Sequence, residues 1–288
     1  MKQLTVISGK GGTGKTSITA AFAALTDDAA LADCDVDAAD LHLLLDPSVE
    51  QRMDFTGLPV AVIDSDTCTA CGRCREHCVF DAIDASFVVQ PAACEGCGVC
   101  AYVCPVDAIE MQPRTAGQAY ISSTRFGPMA HARLYAGEEA SGKLVTMVRE
   151  QARDLAGEHG RELIIIDGPP GIGCPVIAAI TGVDLVLVVT EPTLSAIHDL
   201  ERVLNVAAHF DIPAAVCINK HDINEENSRH IATYCQKMDV PIVGRIPYDE
   251  AITKAMVQGK TIVEYDDGAT AERIRDMWQR VQQRLEEQ

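Results

Sequence analysis

The chain of 288 residues is short of positive charge: 24 lysines and arginines stand against 42 aspartates and glutamates, a formal net charge of −18. That deficit argues against a nucleic-acid-binding surface, which needs Lys and Arg clustered on one face. Long apolar runs are missing as well. No uninterrupted apolar segment approaches the roughly 20 residues that span a bilayer, so no membrane-crossing helix is expected. In Met1-Lys2-Gln3-Leu4-Thr5-Val6-Ile7-Ser8 the glycines that follow cut the apolar run short, so it reads as a first strand and not as an export signal. Low-complexity tracts and long linkers are absent too. Without an export signal the twelve cysteines do not read as disulfides, and the cytoplasm is the expected compartment.

What is present is a core-forming chain, 47% apolar, long enough for one large domain and a small one. Strand signals fall at Lys2–Ser8, Ala29–Ala32, Leu163–Ile166, Leu185–Val189, Ala214–Ile218 and Ile242–Ile246, each separated from the next by helix-length sequence or more. Continuous apolar strands alternating with helices imply a mostly parallel sheet covered by helices on both faces. Between about Val60 and Met111 the texture changes to short alternating segments dense in cysteine, including Val60–Ile63 and Phe87–Val89. The frame resumes with an amphipathic stretch, Leu144–Ala156.

Gly9-Lys10-Gly11-Gly12-Thr13-Gly14-Lys15-Thr16, followed by Ser17, lies between a strand and a helix, the setting a phosphate-binding loop requires. Its glycines let backbone N–H groups face phosphates. Lys15 can reach the β and γ oxygens, and Thr16 can ligate Mg²⁺. ATP or ADP with Mg²⁺ is therefore the expected ligand, in an α/β P-loop NTPase fold.

The second lysine, Lys10, makes this loop resemble the deviant Walker A of the MinD/ParA and nitrogenase iron-protein superfamily. The resemblance extends along nearly the whole chain. It implies that Lys10 reaches across a dimer to the partner's nucleotide. Asp33-Cys34-Asp35-Val36-Asp37 is similar to the family's first switch, which implies that Asp35 positions the attacking water. Asp167-Gly168-Pro169-Pro170-Gly171 is similar to the second switch, with Asp167 holding Mg²⁺ through water. Asn219-Lys220 and Ile246-Pro247-Tyr248-Asp249 resemble the adenine-side segments, with Asn219 the base contact and Lys220, Pro247 and Asp249 near it. Glu191 to Leu200 and Leu134 to Leu144 resemble the branch of MinD-superfamily ATPases that contains an inserted ferredoxin domain. His198, at a helix start, reads first as a hydrogen-bonded structural residue.

The cysteine-dense segment holds two runs, Cys68-x2-Cys71-x2-Cys74-x3-Cys78 and Cys94-x2-Cys97-x2-Cys100-x3-Cys104-Pro105. They repeat the spacing of a bacterial two-cluster ferredoxin, in which the fourth cysteine of each run serves the other cluster. Cys68, Cys71, Cys74 and Cys104 would hold one four-iron cluster, and Cys94, Cys97, Cys100 and Cys78 the second. Val79 departs from the pattern, standing where Pro105 follows the other run. Zinc is the alternative, though it would expect paired C-x2-C knuckles across a spacer. Cys217 and Cys235 read as small buried hydrophobes. Cys174, seven residues after Asp167, leaves open a bridging cluster like that of the nitrogenase iron protein.

The expected organisation is an ATPase domain of residues 1–59 and 115–288, carrying an inserted α+β, two-cluster ferredoxin-like domain of residues 60–114. The expected function is an ATP-hydrolysing dimeric switch coupled to electron transfer. An ATP-dependent iron–sulfur scaffold or carrier and a MinD-like spatial organiser are the alternatives. Expected partners are a second copy or a paralogous ATPase, and a redox or iron–sulfur protein. Near the end, Ile274, Met277, Trp278, Val281 and Leu285 share one face of a helix whose polar face mixes acids and bases. That composition suits docking on its own domain better than anchoring to anionic lipid.

Overall fold

The computed structural model describes residues 1–138 and 141–288. They form two compact units: Met1–Arg52 with Ala119–Arg133 and Ser141–Gln288, and Met53–Gln118 with Leu134–Ala140.

The larger unit is built on strands β1 (Lys2–Ser8), β2 (Ala29–Asp33), β3 (Ser48–Thr56), β6 (Thr115–Thr124), β7 (Gly127–Leu134), β8 (Leu163–Pro170), β9 (Leu185–Thr190), β10 (Ala214–Asn219) and β11 (Ile242–Ile246), of which β3 from Met53, β6 up to Gln118 and the last residue of β7 are counted with the smaller unit. Their order across the sheet is β11-β10-β9-β1-β8-β2-β7-β6-β3. β1 lies between β8 and β9, and these pairs, like β2 with β7 and β8 and β10 with β9 and β11, are parallel. The inner strands bury every residue from Leu4 to Ser8, from Ala29 to Asp33 and from Leu185 to Thr190, which is why they read as unbroken apolar runs.

Successive side chains of a strand face opposite layers. Leu4 and Val6 join one core with Ile18 and Phe22 of α1 (Lys15–Ala23), Leu41, Leu44 and Leu45 of α2 (Leu41–Leu45), and the last helix, α11 (Ala269–Glu286). Thr5 points the other way and donates its hydroxyl to the Ala179 carbonyl of α6 (Cys174–Ile180) at 3.0 Å. Beside α6 runs α5 (Ser141–Glu158), with Leu144, Val145, Val148 and Ala152 buried. Among the described residues no helix is long and apolar enough to cross a membrane.

The apolar stripe of α11 is docked on its own unit. Ile274, Met277, Trp278, Val281 and Leu285 are all buried, and the Trp278 ring lies 4.7 Å from that of Phe22. Truncating so large a buried ring should cost about 3–5 kcal/mol. Trp278→Ala should therefore lower the denaturant midpoint of the larger unit strongly. A change under about 0.5 kcal/mol, the size of an ordinary surface substitution, would contradict this packing.

In the smaller unit β4 (Val60–Ile63) pairs antiparallel with β5 (Ile109–Gln112). α3 (Arg73–Glu76) and α4 (Val99–Tyr102) are single turns. Phe87–Val89, strand-like by composition, makes only an isolated bridge through Val89 to Ile83. Ala61, Cys74, Ile83 and Cys100 form the core, with Ile63, Phe87, Val89, Ile109 and Met111 packed on them. The backbone repeats with the cysteines. Residues with left-handed φ fall at Ala70, Gly72 and Asp81 in the first half and at Gly96, Gly98 and Asp107 in the second, while Phe87, also left-handed, has no counterpart.

Candidate nucleotide and metal-ligating sites

Toward their carboxyl ends β1, β2, β8 and β10 present polar groups, Ser8, Asp33, Asp167 and Asn219, and Glu191 stands one residue past β9. In open parallel sheets, ligands bind outside these ends, near the point where strand order reverses, here on either side of β1.

The loop from Gly9 to Gly14 joins β1 to α1. Gly14 has φ +96°, and a Cβ there would lie 2.4 Å from the Asn219 side-chain nitrogen. That side chain donates to the Thr13 carbonyl at 2.8 Å, so a base of the loop is pinned from β10. Gly9 has a different reason to be glycine: a Cβ would sit 2.3 Å from that of Asp199, on the adjoining helix α7 (Leu194–His209). Gly11, Gly12, Gly14, Lys15, Thr16 and Ser17 line a cleft of about 530 Å³, which Asp35, Asn219, Lys220, Pro247, Tyr248 and Asp249 also border.

Lys15 opens α1 and is buried. Its ammonium donates to Asp35 Oδ2 at 2.9 Å and lies 4.0 Å from Asp167 Oδ1. Burial alone would lower the Lys15 pKa, but Asp167 and then Asp35 outweigh it and hold the ammonium above its ordinary value. Asp167 accepts from Thr19 at 3.1 Å and from the Thr16 side chain. Being fully buried, it is nonetheless pushed up, because Lys15 and these hydroxyls compensate only part of the desolvation. Asp33 is pushed up further, by burial and then by the Asp167 charge, although it accepts from the amides of Leu41 and Asp35. Asp35 and Asp167 thus flank one ammonium, and the Asp33 charge acts on it from further off.

Mg²⁺ and phosphate fit this arrangement. Asp167 Oδ2 and Thr13 Oγ1 are buried without a hydrogen-bond partner, and buried polar atoms of that kind are uncommon. A cation beside Thr16 would satisfy the carboxylate oxygen and offset the acidic surplus.

Two expected residues sit differently. Lys10 is turned onto its own chain, 2.7 Å from Glu191 Oε1. Asp249 borders the cleft, but its two oxygens accept from the Ala251 amide at 2.8 Å and the Thr270 hydroxyl at 2.6 Å, capping α9 (Glu250–Val257). The Glu191 carboxylate was given no role from sequence. The signal for it was available, since like Asp33 and Asp167 it closes a buried run of apolar strand residues. His198 is largely exposed, 3.6 Å from Asp199.

All twelve cysteines are free thiols. Cys78, Cys94, Cys97 and Cys100 line one hollow of the smaller unit. Cys68, Cys71 and Cys74 are close enough that the first two raise the Cys74 pKa, after burial as the main cause. Cys94 and Cys97 act on Cys100 in the same way. Two sulfurs already accept amide hydrogen bonds, Cys68 from Ala70 at 3.4 Å and Cys104 from Ala108 at 3.3 Å. Such bonds to sulfur are a lever on the potential of a ligated cluster. Among the described residues no three His, Cys, Asp or Glu groups close around a single ion. Cys217 and Cys235 are buried, with thiol pKa values pushed by burial to about 12 and about 11. Cys174 is exposed at the start of α6.

A model of the CobQ/CobB/MinD/ParA nucleotide binding domain matches residues 4–262. An uncharacterized protein of Methanocaldococcus jannaschii is 34% identical over 284 residues, 98% of this chain and 96% of the relative. The crystal structure of the cell division ATPase MinD of Pyrococcus furiosus superposes with a TM-score of 0.60 at 20% identity, covering 98% of each chain. The septum site-determining protein MinD of Pyrococcus horikoshii, complexed with Mg-ADP, gives a TM-score of 0.59 at 18% identity, covering 97% of this chain and 95% of that one.

Proposed function

The chain belongs to the CobQ/CobB/MinD/ParA nucleotide-binding family and is an ATPase, and on that premise we propose a dimeric, ATP-driven switch coupled to electron transfer through two four-iron clusters. The observation that carries this reading is the doubled cysteine run on a doubled backbone, in one chain with a complete phosphate loop.

ATP or ADP with Mg²⁺ occupies the cleft. Lys15 would serve the β and γ oxygens, and Thr16 and Asp167 would hold the Mg²⁺, which supplies positive charge to the phosphates. Asp35 positions the attacking water once phosphate has drawn Lys15 from it. Asn219 braces the loop and, with Lys220 and Pro247, forms the adenine side, while Asp249 shapes the neighbouring turn. Lys10 completes the site of a second chain, a copy of this one or a paralogue. In the smaller unit Cys68, Cys71, Cys74 and Cys104 hold one cluster, and Cys94, Cys97, Cys100 and Cys78 the other. The clusters supply one-electron transfer to or from a redox or iron–sulfur protein. In chain order the cysteine segment follows the Asp33–Asp37 switch and precedes Asp167, and the chain enters it from β3 and leaves it through β6, the two strands at the edge of the sheet.

Redox titration followed by electron paramagnetic resonance, in the apo, Mg-ADP and Mg-ATP states, tests the coupling. By linkage, a nucleotide that shifts a potential binds the oxidised and reduced forms unequally, and about 60 mV for one electron is a tenfold ratio. Mg-ATP should shift at least one potential, or the rate of transfer to a partner, more than Mg-ADP does. Potentials and rates identical in all three states would make the clusters a passenger and remove electron transfer from the switch.

A further inference from the structure

We infer that Glu191 is a latch on the early lysine, holding Lys10 against its own chain until a second nucleotide-bound chain arrives. This rests on the proposed action of Lys10 across the dimer.

The geometry is specific. Glu191 is 8% exposed. Its Oε1 accepts from Lys10 at 2.7 Å and its Oε2 from Lys220 at 3.0 Å. Burial would raise the carboxyl pKa, yet the hydrogen bonds from Lys10 and Lys220 bring it below the ordinary value. The Lys10 ammonium also meets Thr193 Oγ1 at 3.2 Å and Ser195 Oγ at 3.4 Å. An ammonium has three donors, and all three of these are engaged within the chain. None is left for a phosphate on a second molecule.

Lys220 keeps the carboxylate in place. It adopts φ +51°, an unusual conformation for a residue with a side chain, and gives a further hydrogen bond to the Gly12 carbonyl at 3.2 Å. Glu191 therefore holds Lys10 directly and Gly12 only through Lys220, and when Lys10 departs it remains paired with Lys220. Departure exchanges one anion for another, a carboxylate for a phosphate. The balance then depends on the negative charge that the partner's nucleotide offers, and a triphosphate releases the lysine more readily than a diphosphate. The latch thus makes association selective for ATP over ADP.

The test is the Mg-ATP concentration that gives half-maximal dimer in sedimentation velocity, for wild type, Glu191→Gln, Ser195→Ala, Lys10→Ala and the double variant Glu191→Gln/Lys10→Ala. Glutamine keeps the shape and removes the charge. Losing one charge-assisted contact of about 1.4 kcal/mol should lower the midpoint about tenfold and allow partial dimer in Mg-ADP. Ser195→Ala, at an exposed hydroxyl that puts folding at little risk, should shift the midpoint in the same direction by less. In the Lys10→Ala background Glu191→Gln should have no effect, which separates a latch from a general structural role. Lys10→Ala protein that dimerises and hydrolyses like wild type would overturn the trans role itself. Lys10→Ala protein that fails to dimerise, while Glu191→Gln and Ser195→Ala keep or raise the wild-type midpoint, would overturn the latch and leave the trans role standing.

Discussion

Lys15→Ala protein should bind Mg-ATP about 10²- to 10³-fold more weakly than wild type. Removing one partner of a buried charge pair costs about 3–5 kcal/mol, and each 1.4 kcal/mol is tenfold in affinity. The lower half of that range is the better expectation here. In the nucleotide-free chain Lys15 is already bonded to Asp35, so phosphate replaces an existing partner and does not meet a free ammonium. The substitution has a second effect that a simple phosphate ligand would lack. It leaves Asp33, Asp35 and Asp167 facing one another without their ammonium, so the nucleotide-free chain should also melt at lower temperature. Calorimetric titration of Mg-ATP, paired with a thermal melt, reads both. Lys10→Ala provides the contrast: monomer binding intact, hydrolysis lost. Wild-type affinity in Lys15→Ala protein would contradict the placement of phosphate against α1.

Cys97→Ser protein should lose about half of its iron. Anaerobically purified wild type should carry about eight irons and eight sulfides per chain, four of each for every cube. Cys97 and Cys71 are the exposed members of their runs, whereas Cys74 and Cys100 belong to the core of the smaller unit. Serine at 71 or 97 therefore removes a ligand without opening a cavity, and a fall in iron reports ligation and not misfolding. The remaining cluster should also become more labile, because with crossed fourth ligands each run contributes to both cubes. Cys235→Ala, at a buried inert thiol, is the control and should keep its iron. Iron and sulfide analysis with electron paramagnetic resonance settles the count. Stoichiometric zinc without iron after anaerobic reconstitution would overturn the cluster assignment.

The parts of the fold legible in sequence are those where burial is two-sided. Val6, Leu31, Ile165 and Leu187 lie in strands whose every inner position is covered, so their apolar runs announced themselves. β3, β6 and β7 did not. All but two of the residues from Ser48 to Thr56 are exposed, and that strand carries Glu50, Gln51, Arg52 and Asp54, a composition that suits the edge of a sheet but reads as loop. β6 and β7 are joined by only Arg125 and Phe126, a turn without the Asn-Gly or Gly-Gly signature that marks a hairpin in sequence. At the site, the loop stood out in sequence because its glycines and Lys15 fall between a strand and a helix, where β1 and α1 place them. The company kept by Lys10 did not. Its partners Glu191, Thr193 and Ser195 lie far along the chain, and only the parallel pairing of β1 with β9 brings them together.

That same pairing sets an order of events during synthesis. β1 is made first, yet its two neighbours, β8 and β9, begin only at Leu163 and Leu185. The centre of the sheet cannot close until they have left the ribosome, and such non-local pairing is slow to form. Gln112, which ends β5 after the last cysteine of the two runs, precedes Leu163 by roughly 50 residues, which at about 5–20 residues per second is roughly 2.5–10 s of elongation. For that interval the smaller unit's short antiparallel pair and its thiols are complete in sequence while the ATPase frame is still open. Cluster loading during translation would therefore meet every cysteine of the two runs before the nucleotide site exists.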